Sequence, residues 1–309
     1  MSPHRTVTRA LCAALLASPG LAHAQSDRDT SFAIPRNGVI DISLTSGRIE
    51  VRGTDRATAE LRARGNNYRL NASGVSVTLA VPSTREQRGD SRSRSSRSAP
   101  DIELLVPRSV RVILHGRNAD LTASDLSGDV EAHVLTGDIS LSAIDGRAFV
   151  ETLSGDVDVD GVGDLRVTTV SGDISARGVR GAIDASSTSG DVTLQGERVP
   201  RMQVDGVSSE IRFEGTLATD ARVQVTTHSG DVFFRLPASA GGELEVSTFN
   251  GDVVGGTMTL LPSTGTMRRG LVDRSSRRFE FGGGGGIRLV ISTFNGDVTL
   301  QRDGRSRPD

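Results

Sequence analysis

The sequence predicts an all-β fold, a single parallel β-solenoid (β-helix) built from repeated two-strand coils of 17–21 residues. Three observations predict it. A short phrase, Ser/Thr/Asn-Gly-Asp-Val/Ile, returns along most of the chain. Apolar and polar residues alternate on both sides of each copy. Helical periodicity is absent after the first two dozen residues.

The phrase stands at Ser127-Gly128-Asp129-Val130, Thr136-Gly137-Asp138-Ile139, Ser154-Gly155-Asp156-Val157 and Ser171-Gly172-Asp173-Ile174. It continues at Ser189-Gly190-Asp191-Val192, Ser229-Gly230-Asp231-Val232, Asn250-Gly251-Asp252-Val253 and Asn295-Gly296-Asp297-Val298, with degenerate copies at Ser46-Gly47-Arg48-Ile49 and Ser208-Ser209-Glu210-Ile211. From Gly137 the steps are 18, 17, 18, 19, 21 and 21 residues, with Ser209 holding a glycine position. A near-constant period of this length marks stacked repeats.

Apolar residues lie five and seven positions before the glycine (Val223 and Val225, Leu244 and Val246, Leu289 and Ile291) and two and four after it (Val157 and Val159, Val192 and Leu194, Val298 and Leu300). Three before it stands Thr or another small residue, as at Thr152, Thr169, Thr227, Thr248 and Thr293. Period two on each side means two half-buried strands. The count between the two inward sets is odd, so a straight strand would turn one set outward. The chain must bend at Gly-Asp, where glycine tolerates positive φ and Asp bonds nearby amides. Each coil then reads strand, corner, strand, return turn. Asn-Gly is also a hairpin signal, but similar halves and constant length favour the solenoid over a meander or sandwich.

The ends and interruptions follow. Arg5 and Arg9, the apolar run 10–18 and Ala22-His23-Ala24 read as a signal peptide over 1–24, cleaved after Ala24. This predicts an exported protein, periplasmic, secreted or at the cell surface. No later stretch approaches the roughly 20 apolar residues of a membrane helix. Cys12, the only cysteine, lies in the leader, so burial and backbone pairing must stabilise the mature chain without disulfides. Residues 25–82 read as an N-terminal β region capping the solenoid, 83–100 as a disordered Arg/Ser-rich insertion between strands 75–81 and 101–106, and 101–302 as the repeats. A second loop is expected over 262–286, and 303–309 as a polar tail.

These motifs, with the opening Gly38-Val39-Ile40-Asp41-Ile42 and the closing Ile287-Arg288-Leu289-Val290-Ile291-Ser292-Thr293-Phe294, resemble the DUF4097 family of candidate adhesins over about 32–302. The resemblance implies a β-solenoid at the cell envelope and no established reaction. It carries over no catalytic residue.

No catalytic, cofactor or metal residue is assigned. The aspartates Asp129, Asp138, Asp156, Asp173, Asp191, Asp231, Asp252 and Asp297 would stack about 4.8 Å apart. They read as turn residues bonding their own corners rather than as Ca²⁺ ligands, since the Gly-Gly-x-Gly-x-Asp calcium repeat is missing. His115, His133 and His228 show no metal-ligand spacing and read as surface or turn residues. Arg88-Gly89-Asp90 and the Arg clusters at 85–97 and 268–278 read as solvated loops, with anionic envelope polymers as the alternative. A net charge of −2 gives no argument for nucleic acid. The expectation is a non-enzymatic envelope adhesin, binding or scaffold protein whose partner is a polysaccharide, a protein or another copy. A carbohydrate-active β-helix enzyme, which needs paired carboxylates, and a periplasmic stress or signalling factor are the alternatives.

Overall fold

The computed structural model describes residues 23–24, 30–35, 38–64, 68–73, 76–81, 101–256, 258–262, 276–282 and 285–303. All regular structure among them is β. The segment 1–24, read as a signal peptide, lies outside them except for His23–Ala24, which pairs antiparallel with Tyr68 and Arg69. The insertion 83–100 and the tail beyond 303 also lie outside them.

One coil shows the construction. Strand Ala148–Ser154 runs to the corner at Gly155, strand Val157–Val162 leaves it, and a turn at Gly163 and Asp164 leads into Leu165–Ser171 of the next coil. Successive coils pair in parallel and in register: Val150 faces Val167 on the first face, and Val157 faces Ile174 on the second. The inward residues form one continuous apolar core, with Val157, Val192 and Val232 at 0% exposure and Val298 at 1%. Burying each such side chain is worth about 1.5–3 kcal/mol, but only when the neighbouring coil is present.

The bend that the parity requires is observed. Gly137, Gly155, Gly172 and Gly190 take φ between 129° and 137°. An added Cβ at Gly172 would sit 2.1 Å from the carbonyl oxygen of Gly155, so the corners stack backbone on backbone. The aspartates after these glycines bond differently from expectation. Each carboxylate accepts the amide of the next coil rather than capping its own corner: Asp156 N–H donates to Asp138 Oδ1 (3.1 Å), Asp173 to Asp156 (2.9 Å) and Asp191 to Asp173 (2.8 Å). The pitch brings the neighbouring amide within reach while the short side chain points along the stack. Ser127-Gly128-Asp129-Val130 belongs to the opposite, return corner. There an added Cβ at Gly128 would meet Val110 O, and Asp129 accepts the Arg147 amide at 3.0 Å. The tetrapeptide fits either corner because both need a close backbone approach before an inward residue.

The stack does not follow chain order at its ends. Coil 39–54 pairs with 111–126 on one side and with Ser76–Val81 and Asp101–Pro107 on the other, so these two strands form the outermost N-terminal coil. Strands Ser76–Val81 and Asp101–Pro107, which flank the expected insertion 83–100, therefore belong to one coil of the same stack. At the other end 287–302 lies between 222–236 and 242–254. The expected loop 262–286 is corrected in part: Ser276–Phe281 is a strand, antiparallel to Gly242–Ser247, with Phe281 buried. Thr58–Arg64 likewise covers Asp101–Pro107 antiparallel. Antiparallel strands at both ends satisfy edges that would otherwise template further pairing.

Candidate binding surface

The corner geometry decides what is exposed. Three residues before the glycine the side chain is inward and small. Thr152, Thr169, Thr227, Thr248 and Thr293 are buried there, their hydroxyls without a hydrogen-bond partner. Two before the glycine the side chain must point out, at the edge where the chain turns. Yet this position is apolar in coil after coil: Leu135 (51% exposed), Leu153 (49%), Val170, Val207, Phe294 and Phe249 (70%). Register stacks these residues into a ridge along the glycine corner, interrupted by Thr188 and by His228.

At the C-terminal end the ridge is aromatic. His228 stacks on Phe294 at 5.0 Å between ring centroids and 7° between planes, and Phe294 stacks on Phe249 at 4.9 Å and 2°. The parallel register forces this overlap, since rings on successive rungs stand about one strand spacing apart. Asn250 Nδ2 donates to Asn295 Oδ1 at 3.0 Å, continuing the alignment on the adjacent residue.

Beside the N-terminal part of the ridge lies a shallow groove lined by His115, His133, Glu151, Leu135 and Leu153. His115 and His133, distant in sequence, occupy adjacent rungs and stack at 5.2 Å and 12°. His133 stands between two carboxylates, with Nε2 2.9 Å from Glu131 and Nδ1 3.0 Å from Glu151. Hydrogen bonds from His133 and then from Arg111 hold the Glu131 carboxyl below its ordinary range. The Asp129 carboxyl is lowered by its side-chain and backbone hydrogen bonds from Arg147. Among the described residues no group of three or more His, Cys, Asp or Glu has the geometry to hold a metal ion. The described aspartates of the column join the coils as above, and no acid pair there is set apart from that role. Arg88-Gly89-Asp90 and Arg268-Arg269 lie outside the described residues, whereas Arg277 and Arg278 are in the capping strand and Arg278 pairs with Glu245 at 3.2 Å.

The model of the family described as Toastrack DUF4097 matches residues 38–301. The chain belongs to this family. The match spans both swapped end coils and everything between them, so the family fold is the whole solenoid rather than a segment of it. No curated protein matches the chain. Solved structures similar to this family member include a candidate adhesin from Bacteroides fragilis (10% identity, 90% of this chain and 98% of that one, TM-score 0.42). Others are a candidate cell adhesion protein from Clostridium sporogenes (9%, 90% and 100%, 0.23) and a candidate lipid binding protein from Parabacteroides distasonis (7%, 91% and 98%, 0.33).

The ridge escaped the reading of the sequence, which followed the inward positions. Its signal is present: Ser-Thr-Phe-Asn-Gly-Asp-Val occurs identically at 247–253 and 292–298, with Phe at a position the parity turns outward.

Proposed function

We propose that this chain is an exported, non-catalytic envelope protein of the adhesin or scaffold kind, and that it engages an extended partner along the glycine-corner ridge. The observation that carries the reading is the ridge itself. Contiguous exposed apolar surface is uncommon on soluble proteins and marks interaction sites, and here it recurs at the same outward position, two before the corner glycine, in coil after coil. Its run over successive rungs suits an extended polysaccharide or polypeptide better than a small molecule, and its stacked rings present apolar surface on paired backbone. The basic, apolar leader at 1–24 supports export, and family membership is consistent with an envelope role.

The test is binding of the mature chain, starting at Gln25, to glycan arrays and envelope fractions, beside a variant carrying Leu135→Ser, Leu153→Ser, Phe294→Ser and Phe249→Ser. Loss of binding by the folded variant supports the ridge. Undiminished binding refutes it, and a further variant lacking residues 83–100 then shows whether the insertion is responsible.

A further inference from the structure

The opposite edge of the first face carries a second column. Each coil places one outward residue just before its first inward residue, at the return corner. In the N-terminal half these residues alternate in sign: Arg111, Asp129, Arg147 and Asp164 occupy successive rungs. The alternation is used, since Arg147 bonds Asp129 at 2.8 Å. Ala182 comes next. The alternation then stops. Arg201 faces Arg222, and Arg222 faces Arg288, three guanidinium-bearing rungs in sequence, before Glu243 closes the column.

Like charges directly opposite on neighbouring strands are destabilising. Arg288 is offset by Glu243 at 3.4 Å. Arg201 and Arg222 form no ion pair among the described residues, although every arginine in the alternating half of the column has a carboxylate partner. The three arginines line one shallow concavity with Gln203 and Gln224 on the next outward column, and Asp220 is the only acidic residue of its lining. The edge thus offers guanidiniums, which match carboxylates in bidentate fashion, beside amides able to bond hydroxyls.

We infer that Arg201, Arg222 and Arg288 form a binding site for a linear acidic polysaccharide bearing carboxylates, a polyuronate. Three arginines span two rungs, about 9.6 Å, the length of two sugars in an extended β-1,4-linked chain. The flanking glutamines favour a hydroxyl-rich polymer over a bare polyphosphate. The site lies six residues along the strand from the ridge, roughly 20 Å, and does not rest on the ridge's role.

The experiment titrates the mature chain with a six-sugar oligomannuronate at low and high salt. The comparison ligands are a neutral β-1,4-linked glucose hexamer and a polyphosphate of matched charge. Wild type is expected to bind the oligomannuronate and not the neutral hexamer, with affinity falling as salt rises. Arg201→Gln/Arg222→Gln/Arg288→Gln is expected to weaken binding at least tenfold. Arg111→Gln/Arg147→Gln/Arg166→Gln, which removes the same charge from the other half, should stay within twofold of wild type. Should the first triple variant fail to fold, Arg222→Gln alone is expected to weaken binding about threefold while melting no lower than wild type, because it relieves repulsion. No binding by wild type, equal losses in both triple variants, or equally tight binding of polyphosphate overturns the inference. The ridge variant is expected to keep oligomannuronate binding, so failure of either surface is read independently.

Discussion

Two glycines twelve residues or fewer apart test whether the corners, and not glycine as such, hold the coils together. At Gly172 φ is +135°, a region essentially restricted to glycine, and an added Cβ would lie 2.1 Å from the Gly155 carbonyl oxygen. The obstacle is backbone of the adjacent coil, so relief requires the two coils to separate locally. Gly161 also has positive φ, +71°, but an added Cβ meets nothing nearer than 3.8 Å. The previous coil shows what is tolerated there: Ala143, on the equivalent rung, adopts φ +52° as an alanine. Gly161→Ala should therefore cost about 1 kcal/mol, the ordinary penalty for a left-handed alanine. Gly172→Ala should cost about 3 kcal/mol or more, the conformational penalty with the steric displacement added. Urea unfolding followed by far-UV circular dichroism gives the ranking. Hydrogen exchange at the Gly172 amide, which donates to Ser189 O at 3.1 Å, reports the local opening. Equal losses at the two positions would refute the stacked-corner reasoning.

Other expectations follow from the columns. Asp173 accepts the Asp191 amide through Oδ1. Asp173→Asn should keep stability close to wild type because the acceptor survives and like-charge repulsion falls, whereas Asp173→Ala should lose about 1 kcal/mol; chemical denaturation separates the two. Phe294 is the middle ring of its stack, so Phe294→Ser should cost about 1–2 kcal/mol and reduce ridge binding more than Val170→Ser, measured by melting and by the envelope-binding assay. The Asp129 carboxyl titrates below its ordinary value of 3.8, chiefly through the Arg147 side-chain bond. A depressed folded value means a contribution present above about pH 4 and lost as pH falls further. Arg147→Gln should therefore lower stability slightly at neutral pH and leave it unchanged at acid pH, which flattens the acid limb of a stability–pH profile.

Much of the fold was legible because one bent unit repeats. The inward parity at Val157, Val192, Val232 and Val298 is local information, and so is the glycine bend. Three things were not local. The end coils are exchanged in space, which depends on which strand edges remain unpaired beside the interruptions at 83–100 and 262–286, not on the motif within a coil. Ser276–Phe281 pairs antiparallel as a cap, and its short alternating Arg-Phe-Glu-Phe pattern sits beside a glycine run that reads as loop. The surfaces were legible only once the register was known. Neither Phe249 nor Arg222 signals anything alone, and both gain meaning from the residues one rung away. The histidines make the same point: 18 residues separate His115 and His133 in sequence, one coil length, and the stack brings the rings together.

Both surfaces exist only if the coils stand in the stated order, and cysteine cross-linking measures that order. In a Cys12→Ser background, Thr226→Cys with Ser292→Cys, and Ser247→Cys with Ser292→Cys, place thiols on adjacent outward rungs. Their separation, about 4.8 Å, lies within disulfide reach. Thr226→Cys with Ser247→Cys lies two rungs apart, beyond it. Oxidation is expected to close the first two pairs and leave the third reduced. Ready closure of the Thr226–Ser247 pair, with the Thr226–Ser292 pair open, would restore chain order to the stack and contradict the account.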